Sequence, residues 1–142
     1  MKSFVPRAKD LNKKWHVMDA EGQILGRLAS RAARLLIGKD KPHYIPFLDS
    51  GDHVIIINAG KVKLSGGKLK NKMYRRHTGY PGGLRETSAG VLLARDPGKL
   101  VREAVFGMLP KTKLGRAMRK KLKVYAGPQH PHQAQRPEPT AV

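Results

Sequence analysis

Between Gly107 and Gly127 the chain reads GMLPKTKLGRAMRKKLKVYAG, with seven lysines and arginines and no acid. They are Lys111, Lys113, Arg116, Arg119, Lys120, Lys121 and Lys123. Ammonium and guanidinium groups at that density are suited to neutralising phosphates. A second stretch, Lys61–Arg85, carries eight basic residues and again no acid. Tyr74, His77, Tyr80 and Tyr125 interleave with these cations, which suits stacking on unpaired bases or sugars. Charge pattern alone therefore points to nucleic acid, with phosphate contacts giving affinity rather than sequence reading.

Other chemistry is poorly supplied. Asp49-Ser50-Gly51 matches the catalytic triplet of aspartic proteases. That reaction needs two carboxylates sharing a proton, hence two copies of the triplet or a homodimer. The triplet occurs once, beside Asp52, and a turn capped by aspartate side chains is the expected reading. With no cysteine there is no disulfide, thiolate nucleophile or thiolate metal site. His130 and His132 lack cysteine or acidic neighbours, so no metal is expected, and His16 and His53 fall at strand starts as structural residues. Gly79, Gly82 and Gly83 flank Tyr80-Pro81, either as a phosphate-admitting loop or as a tight turn. Neither GxGxxG nor the Walker spacing occurs, so no nucleotide cofactor is expected. No Ser/His/Asp or Cys/His constellation emerges, and no enzyme is expected.

The whole chain shares the basic character. It has 142 residues, 29 Lys plus Arg against 10 Asp plus Glu, and a net charge of +19. Residues 1–52 carry +4 and residues 53–142 carry +15. Such self-repulsion asks for a compensating anion, nucleic acid first and an anionic membrane surface second. The basic helices lack the aromatic-rich face that membrane insertion requires. The longest apolar run, Val54–Ile57, is far too short to span a bilayer. The opening MKSFVPRAKDLNKKW has no apolar stretch and does not read as a secretory signal.

The elements that must position these groups can be read in order. Residues 1–14 are polar and aperiodic, an expected arm, and Trp15–Ala20 is an expected strand entering a turn at Glu21-Gly22. Over Leu25–Ile37 an apolar stripe of Leu25, Leu28, Ala29, Ala32, Ala33 and Leu36 predicts a helix. Arg27, Arg31 and Arg34 fall on its opposite face, and Gly38 is its stop. His53–Asn58 is a continuous β-branched run, the pattern of a strand covered on both faces in a parallel sheet. Lys68–Arg76 alternates and predicts a strand with Lys68, Lys70, Lys72, Tyr74 and Arg76 on one face, Leu69 and Met73 on the other. Ser88 can start a short helix to Arg95, and Asp96-Pro97 opens another through about Met108. Thr112 is placed to cap a helix whose stripe is Leu114, Ala117, Met118 and Leu122. Lys123–Ala126 then predicts a short strand, and the last fifteen residues, with four prolines, an extended tail. Gly115 inside a predicted helix costs about 1 kcal/mol against alanine, which close packing on RNA or on another helix would explain. Strands alternating with helices make an α/β domain with helices on both faces of a small, mostly parallel sheet.

Five segments carry a family resemblance. They are WHVMDA (15–20), LGRLAS (25–30), HTGYPGG (77–83), GMLP with LGR (107–110, 114–116), and LKVYAG (122–127). In order and over nearly the whole chain they resemble the bacterial large-subunit ribosomal protein thirteen family. The resemblance implies a three-layer α/β/α domain with a four-stranded sheet. It implies a component of the large ribosomal subunit that joins early in assembly and contacts 23S ribosomal RNA and neighbouring ribosomal proteins. It implies no activity and no cofactor, a cytoplasmic location in the ribosome, no small-molecule substrate and no homo-oligomer. The expected organisation is an arm (1–14), an α/β RNA-binding domain (15–127) and an extended tail (128–142). The candidate RNA-binding residues are Arg27, Arg31 and Arg34, then Lys68, Lys70, Lys72, Tyr74, Arg75, Arg76, His77 and Tyr80. Lys111, Lys113, Arg116, Arg119, Lys120 and Lys123 complete the set. Two rival functions are a free nucleic-acid chaperone or DNA-compacting protein, and an aspartic hydrolase centred on Asp49.

Overall fold

The computed structural model describes residues 4–142. The arm expected over 1–14 therefore lies partly outside the described residues. Its described part makes one 3-10 turn, Ala8–Asp10.

Four parallel strands form the central sheet in the order β5-β2-β1-β6. They are β1 (Trp15–Asp19), β2 (His53–Ile57), β5 (Leu122–Val124) and β6 (Glu138–Pro139). The helices are α1 (Leu25–Ile37), α2 (Lys68–Asn71), α3 (Ala89–Arg95), α4 (Pro97–Met108) and α5 (Lys113–Lys120). A separate antiparallel pair, β3 (Met73–His77) and β4 (Leu84–Ser88), projects as a hairpin.

Local sequence explains the helices. The stripe of α1 is buried as periodicity requires, and Gly38 ends the helix in the left-handed region at φ 85°. Ser88 accepts from the Val91 N–H, Asp96 from the Lys99 N–H and Thr112 from the Gly115 N–H, so three helices begin on side-chain caps. Gly115 is buried, and only glycine fits there because a Cβ would overlap the Pro110 carbonyl oxygen. The close approach that the glycine permits is thus to the chain's own preceding loop.

The strand order decides which face each connection covers. From β1 to β2 to β5 the chain steps one way across the sheet; from β5 to β6 it returns past both. With right-handed crossovers the outward connections share one face and the return takes the other. Met18, Val54, Ile56 and Leu122 point into a single core with the buried residues of α1, α3, α4 and α5. Ile55 is fully buried but lies outside that core. Its face, shared with Trp15 and His53, is met by the returning C-terminal segment. Trp15 stacks on His53 at 4.3 Å, His132 lies 5.3 Å from Trp15, and the Tyr125 hydroxyl is 2.7 Å from His132 Nε2. The third layer is this strap, whose regular structure is one 3-10 turn (Gln133–Gln135) followed by β6. The C-terminal segment, expected as an extended tail, supplies the fourth strand beside β1.

Two local expectations fail. Lys68–Arg76 is not one strand: Lys68–Asn71 forms a helical turn and the strand begins at Met73. A strand would have set Lys68, Lys70 and Lys72 in one file, whereas the turn splays them apart. On α5, Ala117 is exposed, and Leu122 belongs to β5 rather than to the helix stripe. Helix α5 stops because the Lys121 carbonyl accepts from the Val54 N–H and opens the parallel ladder. An apolar residue eight positions into a helical stripe and the first residue of a buried strand look alike in sequence.

Gly115→Ala is expected to cost about 1–3 kcal/mol by overpacking, read as a lower urea midpoint with unchanged m value. A chain ending at Gly127 should show red-shifted Trp15 emission and reduced stability, while removal of Ala141 and Val142 alone should change neither.

Candidate nucleic-acid interface

The acids determine which cations remain outward. Asp49, in the loop before β2, is 20% exposed and accepts from Lys121 at 2.5 Å and Lys13 at 3.0 Å. Lys121 also donates to the Leu36 carbonyl at 3.1 Å, a cation placed at the C-terminal end of α1 where the helix dipole favours it. Asp52 accepts from Lys41 at 2.6 Å, from the Lys14 N–H at 2.9 Å, and pairs with His16 at 3.2 Å. Lys41 fills its other two N–H positions with the Asn12 and Ser50 carbonyls. A Cβ on Gly51 would overlap the Leu36 carbonyl, so only glycine lets this loop close on the helix end. His16 extends the network to Thr140 Oγ1 at 3.0 Å, beside β6.

This arrangement corrects the expectation of a locally capped turn, because both carboxylates answer groups distant in sequence. It also gives the Asp49 triplet no proton-sharing partner. Burial alone would push the Asp49 carboxyl up, but hydrogen bonds from Lys121 and Lys13 outweigh it and hold it below the ordinary range. Asp52 is likewise lowered, its burial outweighed by Lys41, the Lys14 N–H and His16. Burial depresses Lys121, since the ammonium has lost water and Asp49 restores only part of that loss. His53 is lowered by burial and by the nearby Lys121 and Lys13.

The expected interface residues divide between free and occupied. On α1, Arg27 is exposed, but Arg31 and Arg34 both reach Asp40, at 3.0 and 2.6 Å. On α5, Arg116 and Lys120 are exposed, as are Lys111 and Lys113 at its start. None of these four joins an ion pair among the described residues. Arg119 instead stacks over the Phe106 ring at 5.1 Å, and Lys123 is half-buried on β5. Lys121, counted with them in the sequence, is turned inward to Asp49.

The second group gathers around the hairpin. Lys68 and Lys72 line a depression of about 170 Å³ with Lys63, the first turn of α1, and Ala104 and Met108 of α4. Lys70 is exposed outside it. Lys72 also lies 5.4 Å from the Tyr74 ring centre. His77 is exposed, and its Nδ1 accepts from the Gly79 N–H. Tyr80 stands 76% exposed at the hairpin tip. Arg75 is bound to Glu86 at 2.5 Å across the hairpin. Tyr74, Arg75 and Arg76 line a wider groove of about 580 Å³ together with Arg85, Arg95 and Lys99. Arg95 and Lys99 are not among the residues that the sequence singles out, and Arg85 enters there only as the end of the basic stretch Lys61–Arg85. The signal was there: LRETS after TGYPGG alternates, and a second strand closing a glycine-rich turn makes a hairpin.

No described helix is long and apolar enough to cross a membrane. Among the described residues no group of three or more His, Cys, Asp or Glu could hold a metal ion.

Comparison with known proteins gives one consistent answer. A family model described as ribosomal protein L13 matches residues 13–131. The large ribosomal subunit protein uL13 of Thermobifida fusca is 58% identical over 142 residues, covering all of this chain and 95% of that protein. The uL13 proteins of Rubrobacter xylanophilus and Desulfovibrio desulfuricans are 54% and 53% identical, each covering all of this chain and 99% of theirs.

Asp49→Asn should destabilise more than Lys121→Met, because it leaves a buried ammonium without its carboxylate. Losing one partner of a buried pair costs roughly 3–5 kcal/mol, and the cost is smaller for Lys121→Met because Asp49 is more exposed and keeps Lys13 at 3.0 Å; urea unfolding of both variants measures the difference. The lowered carboxyls also set a pH dependence. As pH falls the unfolded chain takes up these protons first, so their stabilisation is full above about pH 4 and lost through and below it. Asp52→Asn should flatten that acid limb of the stability curve.

Proposed function

This chain belongs to the ribosomal protein L13 family, and on that premise we propose that it binds 23S ribosomal RNA and supports early assembly of the large ribosomal subunit. Its role in the ribosome is structural and not enzymatic. The ribosome in question is cytoplasmic, and neighbouring large-subunit proteins are its other partners. The supporting observation is a sorting of charge. Seven of the ten acids are held in ion pairs among the described residues. Meanwhile Lys111, Lys113, Arg116 and Lys120 stand exposed with no ion-pair partner among the described residues.

A fold that uses its carboxylates internally leaves its surplus cations for an external polyanion. Cations on a helix pinned through Leu114 and Met118 are held at fixed spacing, so less side-chain and backbone freedom is lost on meeting phosphates. The RNA segments they hold would otherwise repel one another. Bringing such segments together is the physical content of an assembly role.

Two measurements test this. If the protein covers about six to ten phosphates, its affinity for 23S RNA should fall roughly 10³–10⁵-fold between about 50 and 200 mM salt. Arg116→Glu and Lys120→Glu should retain the wild-type thermal midpoint yet enter large subunits poorly, as read by sedimentation of cell extract. Normal incorporation of both variants would remove α5 from the RNA face, and wild-type protein sedimenting free of the large subunit would favour a chaperone.

A further inference from the structure

The hairpin contains a pairing that the isolated fold has no reason to make. Arg76 and Arg85 are directly opposite each other on β3 and β4. Like charges at that position are destabilising. The neighbouring pair, Arg75 opposite Glu86, is complementary and closes at 2.5 Å. Because side chains alternate across a strand, these two pairs face opposite ways. The neutralised pair is on one face of the hairpin. The like-charged pair shares the other face with Tyr74 and lines the groove, which Arg75 also reaches while held to Glu86.

The opposite wall repeats the pattern. Arg95 ends α3 and Lys99 lies in the first turn of α4, and both are exposed along the same groove. None of Arg76, Arg85, Arg95 and Lys99 takes part in an ion pair among the described residues. Two acids also line the groove. Asp96 is engaged, capping α4 through the Lys99 N–H at 2.9 Å and facing Arg102 at 3.6 Å. Glu103 is the one lining acid without such a partner among the described residues, so positive charge prevails.

We infer that this groove, between the β3–β4 hairpin and the α3–α4 junction, clamps a phosphodiester strand of the RNA, with Arg76 and Arg85 on one side and Arg95 and Lys99 on the other. The inference rests on the RNA-binding reading above and names a site within it. An anion between Arg76 and Arg85 turns their repulsion into two charge-assisted contacts, and the guanidinium fork is shaped to hold phosphate oxygens. Tyr74, packed against the core, gives that wall a fixed base. The occupant is an extended polyanion, since cations line both walls.

The test compares full-length wild type, Arg76→Gln/Arg85→Gln and Arg95→Gln/Lys99→Gln on purified 23S RNA across a salt series. Each double variant should lower the slope of log affinity against log salt by about 1.4–1.8, at 0.7–0.9 per phosphate contact. Arg85→Glu adds a readout that a purely structural arginine would not give. It removes the like-charge pair, so the free protein should melt no lower than wild type, while RNA affinity falls and the slope decreases. Unchanged slopes in both double variants, with wild type still binding RNA, would overturn the groove and leave the wider reading standing. A reduced slope for one wall only would also overturn it. Intact RNA binding with failed entry into the subunit would assign the groove to an acidic protein neighbour instead. Wild type that binds no RNA would overturn both.

Discussion

Two carboxylates, Asp49 and Asp52, tie together segments that no local interaction would unite. Between them they bind Lys13 and the Lys14 backbone before β1, His16 on β1, Lys41 after α1, and Lys121 between α5 and β5. A buried charge without a partner is expensive, so each of these contacts constrains the others. Gly51 makes the closure possible, and His16 carries it on to Thr140 at the returning strand. The register of β2 against β1 and β5, and the docking of the C-terminal strap, therefore depend on a loop that has no regular structure of its own.

This internal use of acid shapes the surface. A chain with ten acids and twenty-nine bases could scatter its carboxylates as surface partners. Here several are drawn into the fold or placed beside particular arginines, as Asp40 is beside Arg31 and Arg34 and Glu86 beside Arg75. What remains is not uniformly positive. It is positive where rigid elements present it: the outer side of α5, the depression lined by Lys63, Lys68 and Lys72, and the groove behind the hairpin. Net charge explains attraction to a polyanion; this arrangement explains how a structural ribosomal protein could hold RNA without any catalytic group.

Much of the fold could be read from the residues. The stripe of α1, its stop at Gly38, the caps at Ser88, Asp96 and Thr112, and the buried run of β2 are local signals that tertiary packing did not override. The hairpin was harder. In the sequence its first strand runs on from a helical turn whose Lys-x-Lys-x-Lys alternation imitates a strand. Its second strand is short and mostly exposed, so its residues look like loop in the sequence. Without that strand the groove has only one wall in the sequence, so Arg95 and Lys99 do not stand out and Arg85 is only the end of a basic run.

The sequence by itself determined the class of partner, the helices and the central strands, because composition, periodicity and capping act over a few residues. Family resemblance rested on the same local segments. Only the tertiary structure decided which lysines are available. Lys120 and Lys121 are neighbours of equal charge, yet one faces solvent and the other is buried against Asp49, 72 residues away. Pairing over such distances is set by how strands and loops meet in space, and a charge run in sequence carries no record of it.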